Sequence, residues 1–100
     1  MFKLETDNVH QAVSVAISGV YNGSDELAEI KLQLSAIETL IEYDRAYVVR
    51  VEGEYGACFN VFAFFSEVND CTTAAPSSVV YEIDKFDYTY KVTCLTDMFN

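Results

Sequence analysis

The stretch "GSDELAEIKLQLSAIETLIEYDRAYVVRVEGEYGACFNVFAFF", residues 23–65, changes its hydrophobic period near its middle. In the first half, large aliphatic residues recur at spacings of three and four, which is typical of one face of a helix. These residues are Leu27, Ile30, Leu34, Ile37 and Ile41. From Ala46 onward, apolar residues alternate with a period of two, as in Tyr47, Val49 and Val51, which is typical of a strand. A helix followed directly by strands predicts the α+β class.

The predicted helix carries carboxylates at both ends. Asp25 and Glu26 lie in its first turn, where the positive end of the helix dipole stabilises them. Glu38, Glu42 and Asp44 lie toward the other end, where the dipole disfavours them, and Glu38 and Glu42 repel each other at i,i+4 by about 0.2–0.5 kcal/mol. We expect the aliphatic stripe to pack on the sheet or on the first helix, and the acidic end to contact a basic partner.

The strand that begins at Ala46 is predicted to form a hairpin. "GEYG", residues 53–56, supplies a glycine-flanked turn, and "ACFNVFAFF", residues 57–65, resumes an extended apolar run. Because this run is apolar on both of its faces, it predicts a central strand that is covered on both sides. If helices cover one face, Phe62 and Phe64 need cover on the other, and a second copy of the protein, forming a homodimer through the sheet face, would provide it.

Segments on both sides of this stretch complete the predicted fold. Residues 8–21 have helical spacing with Thr6 or Asp7 as cap, although "VSVAIS" at 13–18 also alternates like a strand. "NDCTTAAPSS", residues 69–78, reads as a loop. Two further strands follow, at 79–83 and 86–94, joined by a turn at Asp84 and Lys85 or by a bulge. The prediction is one domain over residues 1–100, with two N-terminal helices packed on a four-stranded antiparallel sheet in the order α-α-β-β-β-β.

The net charge of the chain limits the classes of partner that it can bind. Sixteen acidic residues against six basic ones give a formal charge of −10, which repels nucleic-acid phosphates and anionic lipids. Direct binding to nucleic acid or a membrane surface is therefore not expected, whereas a basic protein would be attracted. The N-terminal sequence lacks the pattern of a signal peptide, so we expect a cytoplasmic protein with reduced cysteines, with Cys58 and Cys94 buried in strands.

Residues that could carry catalysis are sparse. His10 is the only histidine, and His10, Cys58, Cys71 and Cys94 show no metal-ligand spacing or nucleophile signature. The sequence also lacks a glycine-rich phosphate loop and an EF-hand pattern. We therefore expect no catalytic residue, no metal and no cofactor, and a protein that is not an enzyme.

Tyrosine is abundant and often stands beside acidic residues. The chain has seven tyrosines, a residue type that interfaces favour because a rigid apolar ring carries one polar end. Acidic residues accompany them at the end of the predicted helix, in the hairpin turn and in the later strands. The residues predicted to bind a partner are Glu38, Glu42, Tyr43, Asp44, Glu52, Glu54, Tyr55, Glu82, Asp84 and Asp87.

In general character the chain resembles the small phage-encoded inhibitors of bacterial defence, such as anti-CRISPR and anti-restriction proteins. The resemblance lies in a short acidic chain with a mixed α/β core and no catalytic signature. It implies a non-enzymatic inhibitor that acts as a nucleic-acid mimic and blocks a basic nucleic-acid-binding surface on a partner protein. The alternatives are an immunity protein that neutralises a basic toxin, and a self-associating or small-ligand-binding accessory domain.

Overall fold

The computed structural model describes residues 3–73 and 77–96, and within these ranges it has five strands and three helices. The elements, in chain order, are β1 (Lys3–Thr6), α1 (Val9–Val20), α2 (Glu26–Tyr43), β2 (Arg45–Gly53), β3 (Gly56–Phe62), α3 (Phe65–Thr73), β4 (Val79–Phe86) and β5 (Thr89–Cys94). The strands form one antiparallel sheet in the order β1-β5-β4-β2-β3. The predicted α+β class is therefore confirmed.

Helices cover both faces of the sheet. On one face, α1 and α2 pack on Ala46, Val48, Ile83 and Val92, which are all fully buried. On the other face, Val68 of α3 joins a second cluster. Its buried members are Tyr47, Val49, Val68, Val80 and Leu95. We call the first face the α1/α2 face and the second the α3 face. Alternation along each strand divides the apolar residues between two cores.

The predicted count of two helices and four strands is wrong, because β1 and α3 were missed. β1 is a strand of four residues at the edge of the sheet and pairs with β5 from Lys3 to Thr6. α3 begins at Phe65, so the apolar run at 57–65 leaves the sheet after Phe62. The predicted loop at 69–78 is helical over its first residues, and Pro76 lies outside the described residues.

The predicted cover for β3 also differs. β3 is an edge strand rather than a central one, and Cys58 on it is exposed rather than buried. Phe62 packs against the cluster under α3, and Phe64 lies beyond the end of the strand. The part of the homodimer expectation that rests on Phe62 is thereby removed, since a helix of the same chain covers it, while Phe64 remains exposed.

The two hairpins differ in how well they were predicted. The β2–β3 turn lies at residues 53–56 as expected, with Gly53 paired to Gly56. β4, in contrast, continues through Asp84 and Lys85 to Phe86, so the predicted turn there is wrong. The chain reverses instead at Asp87 and Tyr88, where Asp87 has a φ of 56°. Aspartate tolerates this left-handed conformation better than most residues, which explains its place in the turn.

α2 buries a different face from the one its aliphatic spacing predicts. Ala36 is fully buried and Leu40 is 2% exposed, and Leu32 packs against the same core. Of the predicted stripe, only Ile37 packs against the core, while Leu27, Ile30, Leu34 and Ile41 are exposed. Ala36 allows close approach to neighbouring elements, and the side of α2 that contains Ala36 and Leu40 faces inward.

The helix ends are capped by side chains. Asn8 caps α1, in place of the predicted Thr6 or Asp7, by accepting from the backbone N–H of Gln11 at 3.1 Å. Asp25 caps α2 by accepting from the backbone N–H of Leu27 at 3.0 Å. At the far end of α1, Arg50 of β2 donates through Nη1 to the carbonyl of Val20 at 3.3 Å. This cation complements the negative end of the α1 dipole and fixes the helix to the sheet.

Candidate partner-binding surface

The C-terminal end of α2 is held against β4. Asp44 ends the helix in the left-handed conformation, and its backbone N–H donates to the carbonyl of Leu40 at 2.9 Å. The backbone N–H of Lys85 donates to the carbonyl of Asp44 at 2.9 Å, and Lys85 Nζ lies 4.0 Å from Asp44 Oδ1. Tyr43 and Asp44 are therefore positioned beside the β4–β5 turn.

Four aromatic rings are exposed at this end of the sheet. Tyr43 contacts Phe64 edge to face with centroids 5.3 Å apart, and Phe86 and Tyr88 are 76% and 89% exposed. Two adjacent depressions of about 340 and 420 Å³ share Asp84 and Phe86 in their walls, which also contain the basic residues Arg45, Lys85 and Lys91. We define the acidic aromatic end by the exposed aromatic and acidic residues at the chain segments around them, which are Tyr43, Asp44, Phe64, Phe86, Asp87 and Tyr88.

The α3 face beside this end carries a row of alternating charges. Glu5, Lys91, Asp84 and Arg45 occupy matched positions on the neighbouring strands β1, β5, β4 and β2. Lys91 Nζ lies 3.6 Å from Glu5 Oε1, and Arg45 Nε lies 3.6 Å from Asp84 Oδ1. Opposite charges on paired strands stabilise a sheet modestly. Asp84 is therefore already paired within the chain, which reduces its availability to a partner.

Tyr47 and Glu82 form the next row of the same face. The two residues are register partners, and Tyr47 is 2% exposed. Burial raises the pKa of the Tyr47 phenol above its ordinary value of 10.0, and the Glu82 carboxylate and its hydrogen bond raise it further. Glu82 therefore lies beside a buried neighbour with which its carboxylate interacts, and this interaction is within the fold.

The raised pKa of Tyr47 predicts a loss of stability in alkali. The unfolded chain releases the Tyr47 proton first, so this stabilisation is complete below about pH 10 and declines as the pH rises through the folded-state pKa. Tyr47→Phe should lower the free energy of unfolding by about 1 kcal/mol at neutral pH, because it removes the bond to Glu82. The gap from wild type should narrow above pH 10. Urea unfolding across this range measures it, with the exposed Tyr55→Phe as control.

The residues predicted to bind a partner do not form one surface. Tyr43, Asp44 and Asp87 meet at the acidic aromatic end, and Asp84 lies in the walls of both depressions there. Glu42 lies on the last turn of α2 and Glu38 on the turn before it. Glu82 lies opposite Tyr47, and the other three lie at or near the β2–β3 hairpin, namely Glu52, Glu54 and Tyr55. Since β2 rises about 3.3 Å per residue, Gly53 lies about 26 Å from Arg45 along the strand. Glu52 is also paired with Arg50 Nε at 3.2 Å.

Phe64 and Phe86 belong to this surface and were missed. The sequence places both in strands, and it predicts cover for Phe64 by a second copy of the protein rather than contact with a different partner. Phe86 is the last residue of β4 and precedes the Asp87 turn, while Phe64 lies between β3 and α3. The acidic and aromatic sequence at 84–90 was the available signal for Phe86, because it combines turn and interface residues.

The histidine and cysteine side chains do not form a metal-binding group among the described residues. His10 is exposed, the three cysteines are free thiols, and no group of three potential ligands comes together in the described part. No helix in the described ranges is long and apolar enough to span a membrane. The chain matches no known family model, and comparison with curated proteins and with solved structures finds no match.

Proposed function

We propose that the protein is a non-enzymatic inhibitor that binds a basic nucleic-acid-binding surface of a partner protein, as phage-type anti-defence proteins do. The observation that carries the proposal is the acidic aromatic end, where exposed rings and carboxylates share one surface. Exposed apolar patches of this kind mark interaction sites in soluble proteins. Its aromatic rings would anchor the partner. Its carboxylates would occupy the positions that phosphates take when the partner binds nucleic acid.

Two carboxylates at or beside this end have no ion pair among the described residues. They are Glu42 on the last turn of α2 and Asp87 in the β4–β5 turn, and both are exposed. An unpaired surface carboxylate attracts an incoming cation with its full charge, whereas the charge of Asp84 is partly neutralised by its ion pair with Arg45. Glu42 and Asp87 are therefore the residues on which the proposal most depends.

A capture experiment tests the target class. The immobilised protein is exposed to a nuclease-treated bacterial lysate, and the bound proteins are identified by mass spectrometry. We expect a basic nucleic-acid-binding protein to be retained, and added DNA or RNA to release it by competition. Retention that nucleic acid does not affect would contradict the proposal. Capture of a nuclease toxin alone would favour the alternative of an immunity protein.

Charge-neutralising variants test the surface. Glu42→Gln with Asp87→Asn removes one charge beside the acidic aromatic end and one within it, and asparagine suits the left-handed conformation of residue 87. Glu54→Gln with Asp70→Asn removes two exposed charges elsewhere and serves as the matched control. We expect the first pair to slow association with the captured protein several-fold at low salt and the second pair to have little effect. Equal slowing would mean that only net charge matters, and the surface assignment would be wrong.

A further inference from the structure

The exposed side of α2 carries a continuous apolar stripe that lacks a partner in the described part of the chain. The exposed fractions of its side chains are 60% for Leu27, 49% for Ile30, 54% for Leu34 and 77% for Ile41. Burial of four large aliphatic side chains would be favourable, because it removes apolar surface from water. With Ile37 they form what we call the α2 seam, which extends about 21 Å along the helix. The opposite side of α2, with Ala36 and Leu40, already packs on the core.

The spacing of the α2 seam fits another helix of the same kind. Its residues are separated by three, four, three and four positions, which is the a/d pattern of a heptad repeat. Such side chains insert between those of a facing helix that has the same spacing. A second copy of this chain supplies that helix without any further requirement.

We propose that two copies of the protein associate through antiparallel pairing of their α2 seams. A two-fold axis at Leu34 would place Leu34 against Leu34 of the second copy, and Leu27 against Ile41 of the second copy. Ile30 would then face Ile37 of the second copy. Such an arrangement is isologous, so each contact occurs twice except the one on the axis.

The charges beside the seam fix the antiparallel orientation. Lys31 and Glu38 lie seven residues apart along the same edge of the seam and are both exposed. In the antiparallel dimer, Lys31 of each copy faces Glu38 of the other, which makes two complementary pairs. In a parallel dimer the Lys31–Glu38 pairs would not form, and the acidic C-terminal ends of both helices, with Glu38, Glu42 and Asp44, would lie at the same end of the pair. Like charges brought close together destabilise an interface, so the parallel orientation is disfavoured.

The dimer is expected to be weak. One helix pair buries less than the roughly 1,200 Å² of a standard interface, and each copy carries a charge of −10. We expect a dissociation constant on the order of micromolar to tens of micromolar. The antiparallel pairing leaves the two acidic aromatic ends at opposite ends of the helix pair. The dimer therefore does not use the surface of the proposed function, and its test needs no partner protein.

Sedimentation velocity of the full chain over a wide concentration range tests the dimer. Wild type should shift from monomer to dimer, and Leu34→Glu should raise the dissociation constant at least about tenfold, because two carboxylates would meet on the axis. Ser35→Glu is the matched control, since residue 35 is exposed but lies off the seam. A wild type that stays monomeric, or a Leu34→Glu variant that still dimerises like wild type, would overturn the proposal.

A charge exchange tests the orientation. Lys31→Glu should weaken the dimer about two- to tenfold, because the new carboxylate at position 31 would face Glu38 of the second copy. Combining it with Glu38→Lys should restore association, since each copy again presents opposite charges. Failure of the double variant to recover, with Leu34→Glu still monomeric, would overturn the antiparallel arrangement. Unfolding at low protein concentration verifies that every variant keeps its fold.

Discussion

Leu40→Ala is expected to lower the free energy of unfolding by about 2–5 kcal/mol, while Ile41→Ala, one residue away, should change it by less than about 0.5 kcal/mol. Leu40 is 2% exposed within the core between α2 and the sheet, and its truncation leaves a cavity. Ile41 is 77% exposed, so its truncation removes little buried surface from the monomer. The two substitutions differ only in the side of the helix that they affect.

Urea unfolding at low protein concentration is the measurement, because dilution excludes stabilisation by self-association. Both substitutions introduce alanine in the same turn of α2. Leucine and isoleucine differ little in helix propensity, so this term changes by similar amounts in the two variants. If Ile41→Ala were the more destabilising variant, α2 would bury its aliphatic stripe, as the spacing of the sequence predicts. The orientation of α2 described above would then be wrong.

The periodicity of α2 predicts a helix correctly but does not identify its buried face. Two stripes are present, one of large aliphatic residues such as Ile30 and Leu34, and one that contains Ala36 and Leu40. Pattern analysis favours the larger residues because they contribute more apolar area. The fold instead places the stripe of Ala36 and Leu40 against the core. This choice depends on the space between α1, α2 and the sheet, which local spacing does not encode.

The strands show the same division between local and long-range information. The β2–β3 hairpin was predicted because alternation and a glycine-flanked turn specify it locally. β1 was missed because a strand of four residues, alternating between exposed and partly buried, gives almost no pattern. α3 was missed because Phe64 and Phe65 extend the apolar run of β3 without a break.

The acidic aromatic end was predicted only in part for a similar reason. Composition indicates Tyr43, Asp44 and Asp87 as candidates, because tyrosine is favoured at interfaces and carboxylates attract a basic partner. Their proximity depends on the pairing of Lys85 with Asp44, which joins positions 41 residues apart in the chain. Nothing local in the sequence indicates that Asp44 and Lys85 are in contact. The candidates near the β2–β3 hairpin are therefore predicted together with those at the acidic aromatic end, although the length of β2 separates the two groups.

Val68→Asp should produce the other large effect, a loss of at least about 3 kcal/mol in the free energy of unfolding. Val68 is fully buried, and it belongs to the cluster that contains Tyr47, Val49, Val80 and Leu95. A carboxylate at this position would lose its hydration without gaining a cationic partner. The other buried residues of this cluster are aliphatic, except for Tyr47, whose only polar side-chain group is a hydroxyl. Either α3 detaches from the sheet or the whole chain unfolds.

Two further variants separate charge burial from other effects. Ser66→Asp introduces the same carboxylate at an exposed position in the first turn of α3, where the helix dipole favours it, so stability should stay within about 0.5 kcal/mol of wild type. Val68→Ala removes only the two methyl groups and should cost about 1–3 kcal/mol. The expected order of stability is therefore Ser66→Asp, then Val68→Ala, then Val68→Asp.

Amide hydrogen exchange distinguishes the two forms of the damage. If only α3 detaches, protection is lost in α3 and in the edge strand β3, while the α1/α2 face retains protection because its core is separate. If Val68→Asp unfolds like wild type, α3 does not cover the sheet. Phe62 would then lie on an open apolar face, and association of two copies through the sheet would again be the simplest way to bury it.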